Sequence, residues 1–359
     1  MNQKDYDILR LLRSNGVGSA TFQKLIKFFE TSENAIKNID LFKTKTKISL
    51  ISRDNIDKEI EECEKIGAKI ITYTNPKYPK NLREIIDFPP VITILGNIDL
   101  LNKEIIAIIG SRNASANGCN FTKKIAKELG QNGYVIISGM ANGIDAAAHL
   151  GSIDSGAIAV LGGGIDNIYP KNNEYLYNQI KENGCLVSEN SIGCPPKAEN
   201  FPLRNRIVSA LAKAVVVIEA SFRSGALNTA RIAIEQGKEI MVAPGNPYDP
   251  RCEGSNNLIK DGAFMFTNVD DILYNLNDTF VRTKEKSNNV DISEEEKEIP
   301  PDDINRLLLS KLNATPIPIE LLGIELNIKI DVLFSAITEL ELEGKVAVEY
   351  GSVRKILEE

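Results

Sequence analysis

Cationic and small residues recur in this chain directly after apolar runs, and their types suit the capture of an anion better than bond-breaking chemistry. Residues 105–118, IIAIIGSRNASANG, place Ser111 and Arg112 where an apolar run gives way to a helix-forming segment. Backbone N–H groups at such a helix start attract anions, and Arg112 adds a full charge. Residues 135–152, VIISGMANGIDAAAHLGS, repeat the arrangement with Gly139, where backbone can approach a ligand closely. Residues 157–173, AIAVLGGGIDNIYPKNN, carry three consecutive glycines, which form either an anion-binding nest or a sharp turn. Lys171 follows Tyr169-Pro170 beside the same strand end. Residues 199–212, ENFPLRNRIVSALA, set Arg204, Asn205 and Arg206 behind Phe201, just ahead of an apolar helix. Guanidinium forks match phosphate and a ring stacks on any base, so this group suits a nucleic-acid backbone. The competing reading is an internal salt-bridge network with Glu189, Glu199 or Glu219. Residues 221–238, SFRSGALNTARIAIEQGK, open another helix behind Arg223.

Catalytic groups are scarce beside these anion contacts. His149 is the one histidine in the sequence, so a multi-histidine metal site is excluded and a histidine-assisted nucleophile has a single possible base. Its position among Ala146, Ala147 and Ala148 reads as tight packing on a helix. The cysteines number five, with no Cys-x-x-Cys pair, which argues against a cysteine metal site and for free thiols in a reducing compartment. No P-loop and no nucleophile elbow is present. The dinucleotide fingerprint needs three glycines, and only Gly110 and Gly118 are in place, so NAD is disfavoured and no cofactor is expected. With a net charge of −7, nucleic-acid binding requires a local basic patch rather than a basic domain.

The elements that position these loops follow from periodicity. The runs AKIITY, VITILG, IIAIIG, YVIISG, AIAVLG, CLVSE, AVVVIEA and EIMVAPG read as strands, most of them continuously apolar and the later ones separated by helix-length segments. That pattern predicts an α/β fold with an extended Rossmann-like, mostly parallel sheet covered on both faces. Ligands of such sheets bind at the carboxyl ends of the strands, where all these loops lie. Residues 1–65 read as a small helical domain of helix-hairpin-helix or SAM-like type, and 66–280 as the sheet domain. Residues 281–301 are polar and charged and read as a flexible linker. Residues 302–359 read as a winged helix, with helices followed by a hairpin around Tyr350-Gly351. Its candidate recognition helix carries Glu339, Glu341 and Glu343, which suits a protein contact or packing better than a DNA groove. No apolar run of transmembrane length and no export signal is visible, so a cytoplasmic protein without membrane contact is expected.

The segments IGSRNAS, SGMANGIDAAAHLGS, AVLGGGIDNIYP, FPLRNRIVSAL, EASFRSGALNTARIA and APGNP…EGSNNLIKDGA, in this order and spacing, closely resemble the DNA-processing protein family DprA, also called Smf. The resemblance is dense over residues ~70–270, and both flanking domains look like those of the family. It implies a non-enzymatic protein that binds single-stranded DNA in a basic pocket, protects it, forms a homodimer and delivers the strand to the recombinase RecA in natural transformation or recombination. Residue by residue it carries over Ser111, Arg112, Gly139, Lys171, Phe201, Arg204, Asn205 and Arg206 as DNA contacts, with Lys197 and Arg223 as weaker candidates. The alternative is an enzyme, a phosphoribohydrolase of the related lonely-guy type. The corresponding segment here, SGALNTARIAIE, echoes that family's loop only at Gly225 and Thr229, and its carboxylate, Glu235, lies too far along.

Overall fold

The computed structural model describes residues 1–42 and 48–284. In the C-terminal part it describes 330–349, 352–356 and scattered positions between 304 and 328. The chain divides into two compact units, residues 1–286 and 287–359.

Four helices open the first unit: α1 (Gln3–Arg13), α2 (Ser19–Phe29), α3 (Ser32–Lys37) and α4 (Arg53–Lys65). Side chains of Asn2, Thr31 and Ser52 cap the amino ends of α1, α3 and α4, where four N–H groups would otherwise lack partners. Leu9, Leu11, Phe22, Leu25 and Ile56 form their core, which is completed by Val91 of the sheet. Phe28 of α2 is exposed.

The sheet domain then runs β1 (Lys69–Thr72), α5 (Lys80–Glu84), β2 (Val91–Gly96), β3 (Ile105–Gly110), α6 (Ala116–Gln131), β4 (Val135–Ser138) and α7 (Ile144–Ser152). It continues through β5 (Ala157–Val160), α8 (Glu174–Asn183), β6 (Cys185–Ser188), α9 (Asn200–Leu211), β7 (Ala214–Ile218) and α10 (Gly225–Glu235). It ends with β8 (Glu239–Val242), α11 (Glu253–Lys260), β9 (Phe264–Met265) and α12 (Val269–Lys284). The strand order is β1-β2-β6-β5-β4-β3-β7-β8-β9. The pairs from β6 through β9 are parallel, while β1 and β2 are antiparallel additions at one edge. All eight strands read from the sequence are present; β9, a two-residue edge strand, carries too few residues to announce itself by periodicity.

Continuous apolar strands follow from burial on both faces. Ile105, Ala107 and Ile109 of β3 share one core with Ile207, Val208 and Leu211 of α9 and Ala226, Ala230 and Ala233 of α10. Their neighbours Ile106 and Ile108 face the opposite core, with Ile125 and Leu129 of α6, Ala148 of α7 and Ile272 of α12. α12 extends to Lys284, so the first residues of the expected 281–301 linker are helical; 285–301 lie outside the described residues. From β3 the chain builds β4, β5 and β6 outward on one side, then returns through α9 to lay β7 on the other. This reversal beside β3 is the topological switch point, where the loops after adjacent strands diverge and open a crevice.

In the second unit, α13 (Ile330–Leu342) packs on a sheet of order β10-β12-β11, with β10 (Ile317–Pro318), β11 (Val346–Glu349) and β12 (Ser352–Lys355). Leu308, Leu333, Ile337, Leu340, Val346 and Val353 are among the residues of its core. The β11–β12 hairpin is as expected, although its turn at 350–351 lies outside the described residues. Glu339 and Glu341 of α13 and Glu343 just beyond it are all exposed, beside exposed Val332, Phe334 and Leu342. Glu339 accepts a hydrogen bond from Asn305 and Glu341 one from the Val348 amide.

Candidate nucleic-acid interface

A cavity of about 380 Å³ opens at the switch point. Its wall is built from Ser111 and Arg112 after β3, Gly139 and Ala141 after β4, Asp145 of α7, Arg204 and Asn205 of α9, and Ser221, Ser224 and Thr229 around the start of α10. Five of the ten candidate residues, Ser111, Arg112, Gly139, Arg204 and Asn205, therefore meet in one crevice. Arg112 is exposed and holds its guanidinium over the Phe201 ring, 5.6 Å from the centroid. The Tyr169 ring lies 5.4 Å from Phe201 at an interplanar angle of 41°. Lys171, exposed, follows two residues later at the start of a short 3-10 turn. Arg112, Phe201 and Tyr169 thus form a run of flat and cationic groups along one rim, and the exposed Lys171 follows Tyr169 in the chain. Asn173 ties this rim to the β4 loop by donating to the Met140 carbonyl at 2.8 Å. Lys197 is exposed on the loop ahead of α9 and does not line the crevice.

α9 decides the fates of the two arginines behind Phe201. The helix starts at Asn200, so Arg204 and Arg206 lie on it rather than before it; Pro202 sits in its first turn, where no N–H partner is lost. Two residues on a helix are about 200° apart around its axis, so the two side chains leave from opposite faces. Arg204 points to the crevice floor. Its Nη1 donates to the Gly139 carbonyl at 2.6 Å and to that of Val160, and its Nε to Asn205 Oδ1 at 3.2 Å. Gly139 serves this arrangement, because a methyl group there would overlap the guanidinium. Burial pulls the Arg204 pKa down to about 10; Asp145 opposes the shift and the charge of Arg112 adds to it. Asp145 in turn accepts from the amides of Gly139 at 3.1 Å and Ala141 at 3.3 Å, so it pins the β4 loop. Burial raises its pKa against the pull of Arg204.

Arg206 corrects the expectation of a phosphate contact. Its side chain is 6% exposed and pairs with Glu189 at 2.5 Å and Asp87 at 3.1 Å. The internal salt-bridge network expected as the competing reading of residues 199–212 is present at Arg206, with Glu189 as one of the named partners. Burial raises the Glu189 pKa and Arg206 opposes that rise.

Three further features bear on chemistry. Glu219 takes a left-handed backbone conformation after β7, with φ 52°, and its carboxylate accepts the Ser115 amide at 2.8 Å and the Ser115 hydroxyl. It therefore fills the amino end of α6, the place where a dinucleotide fold lodges its pyrophosphate. Gly162 lies against the Phe201 ring, where an added Cβ would come within 2.8 Å of Cδ1, so the glycine run admits close packing and does not form an anion nest at this position. His149 is fully buried, and neither ring nitrogen has a hydrogen-bond partner among the described residues. Burial, reinforced by the Arg204 charge, lowers its pKa to about 3. The unfolded chain takes up a proton below about pH 6.5 that the folded one refuses until about 3, so this stability is complete above 6.5 and lost as pH falls. In urea titrations at pH 7, 6 and 5, the stability of the wild type should fall relative to His149→Gln by up to ~1.4 kcal/mol per pH unit. Parallel pH curves would show that His149 is not the group responsible.

Sequence reasoning missed Tyr169 as a ring partner of Phe201, Asp145 as the tether of the β4 loop, and Phe222, which is 58% exposed next to the crevice-lining Ser221. The Tyr-Pro pair beside Lys171 was the signal for the first; the others carry none, since an Asp at a helix start and a Phe in a loop are common. Among the described residues no cluster of three metal-ligating side chains occurs, and no helix is long and apolar enough to cross a membrane.

Comparison with known proteins follows the same division of the chain. Residues 69–277 match the family of DNA recombination-mediator protein A, residues 2–61 the DprA-like N-terminal HHH domain and residues 293–352 the DprA winged helix domain. Protein Smf of Synechocystis is 36% identical over 277 residues, covering 73% of this chain and 70% of its own. The X-ray structure of DNA processing protein A from Streptococcus pneumoniae superposes with a TM-score of 0.66 at 30% identity, over 76% of this chain and 98% of its own. DNA processing protein A from Helicobacter pylori, solved for its single-stranded DNA binding mode, superposes with a TM-score of 0.54 at 30% identity, over 60% and 97%.

Proposed function

Since the chain belongs to the DprA/Smf family of DNA-processing proteins, we propose that it binds single-stranded DNA at the switch-point crevice and, as a homodimer, delivers the strand to RecA in recombination or natural transformation. The observation that carries this reading is the cation and aromatic rim: Arg112 over Phe201 and Phe201 against Tyr169, with exposed Lys171 two residues beyond Tyr169 in the chain. Guanidinium and ammonium groups hold phosphates, exposed rings stack on bases of any sequence, and a duplex offers no unstacked base to such a ring. The relative from Helicobacter pylori, which binds single-stranded DNA, supports the same choice of ligand.

The phosphoribohydrolase alternative finds its parts misplaced. Glu235 is exposed and does not line the crevice. Thr229 does line it, but its hydroxyl donates back to the Gly225 carbonyl at 3.1 Å. Asp145, the carboxylate that reaches the wall, is engaged with backbone amides. His149 is neutral and enclosed.

Binding of a strand of about 30 nucleotides and of its duplex, measured across a range of salt concentrations, tests the proposal. The single strand should bind more tightly, and its log affinity should fall with log salt by roughly 0.7 per phosphate neutralised. Phe201→Ala should cost about 1–3 kcal/mol with the salt slope unchanged, as loss of one stacking platform requires. Equal binding of both forms, indifferent to Phe201, would reject the crevice as a single-strand site.

A further inference from the structure

We infer that Phe222 and Arg223 form a second nucleobase platform, across the crevice from Phe201, so that a bound strand passes over the switch point between two stacking sites. The inference rests on the single-strand reading above and adds a site to it. Phe222 is a large aromatic side chain left 58% exposed. Arg223 holds its guanidinium over that ring, 5.3 Å from the centroid, and is itself exposed. Its backbone lies in the left-handed region at φ 60°, which a residue with a side chain seldom adopts without a local reason. No carboxylate among the described residues pairs with it, so the cation is free to take an outside anion.

The platform is continuous with the crevice, because Ser221 and Ser224, on either side of the pair, both line its wall. Ser224 also caps α10, accepting the Leu227 amide, which fixes the loop on a rigid helix start. The two rings are anchored at different strand ends. Phe201 packs on Gly162, just beyond β5, whereas Phe222 follows β7, with β4 and β3 between them. At about 4.8 Å per strand the ends of β5 and β7 are about 14 Å apart, a span of a few nucleotides. Each rim repeats one chemistry, a ring with a guanidinium over its face, which holds one base and an adjacent phosphate. A single-stranded nucleic acid is the ligand that supplies both groups at regular intervals.

The sequence contains no tryptophan, so Phe222→Trp and Phe201→Trp each introduce a lone reporter whose emission a stacked base quenches. The probe is an oligothymidylate of about 30 nucleotides at low salt. Quenching of both reporters, together with a roughly 5- to 100-fold weaker affinity for Phe222→Ala, is expected. Quenching at Phe201→Trp with none at Phe222→Trp and no loss in Phe222→Ala would overturn the second platform while leaving the single-strand site standing. No quenching at either position, with no measurable binding, would remove both readings together.

Discussion

An Arg112→Ala/Lys171→Ala double variant will bind a strand of about 30 nucleotides about 100-fold or more weakly than the wild type at low salt. Both residues are exposed, so their charges are available to phosphate without a desolvation cost already incurred in folding. Each charge-assisted hydrogen bond contributes about 1.5–3 kcal/mol, and each phosphate left un-neutralised removes roughly 0.7 from the slope of log affinity against log salt. The two together should make the slope shallower by about 1.4, and at high salt variant and wild type should converge. Thermal stability should be unchanged, since neither side chain has an ion-pair partner within the described part of the fold. A variant with full affinity and an unchanged slope would mean that the strand lies elsewhere on the protein.

Arg206→Met will have the opposite signature. The guanidinium lies between Glu189 and Asp87, with Glu189 held among buried groups where its charge has no water to fall back on. Removing one partner of a buried pair leaves the other uncompensated, a loss of about 3–5 kcal/mol. Denaturant unfolding should report most of that loss, because Arg206 anchors α9 to the end of β6 and to the loop that holds Asp87. Protein that remains folded should keep the wild-type salt slope, since Arg206 does not reach the crevice. Pairing the change with Glu189→Gln should recover part of the stability, whereas a purely steric role for Arg206 predicts no recovery. An Arg206→Met protein as stable as wild type but with a shallower salt slope would restore this residue to the DNA site.

The two variants separate roles that one motif, FPLRNRIV, had merged. The four candidate residues of the stretch are close in sequence, but only Arg204 and Asn205 line the crevice, while Phe201 lies beneath the Arg112 guanidinium. The reading missed where the helix begins. Pro202 suggests a break, but in the first turn it costs nothing, and starting α9 at Asn200 turns Arg206 through about 200° from Arg204. Arg204 itself, although it lines the crevice, is mainly a structural donor to the Gly139 and Val160 carbonyls.

Much of the architecture is legible from the sequence alone because its causes are local. Continuous apolar runs specify strands buried on both faces, the 3.6-residue period specifies the covering helices, and a Gly, Ser or Glu closing most of the runs marks the loops at their carboxyl ends. Those features already place Ser111, Arg112, Gly139 and Lys171 at strand ends. Pairings between distant segments were decided by the tertiary structure: Glu219 filling the amino end of α6, Asp145 tethering the β4 loop, Arg206 meeting Glu189 and Asp87, and His149 enclosed and neutral. The periodicity of a strand says which side chains point inward, but not which charge they will meet there. That depends on the order in which the strands are laid down, and here β7 returning beside β3 brings together loops far apart in the chain.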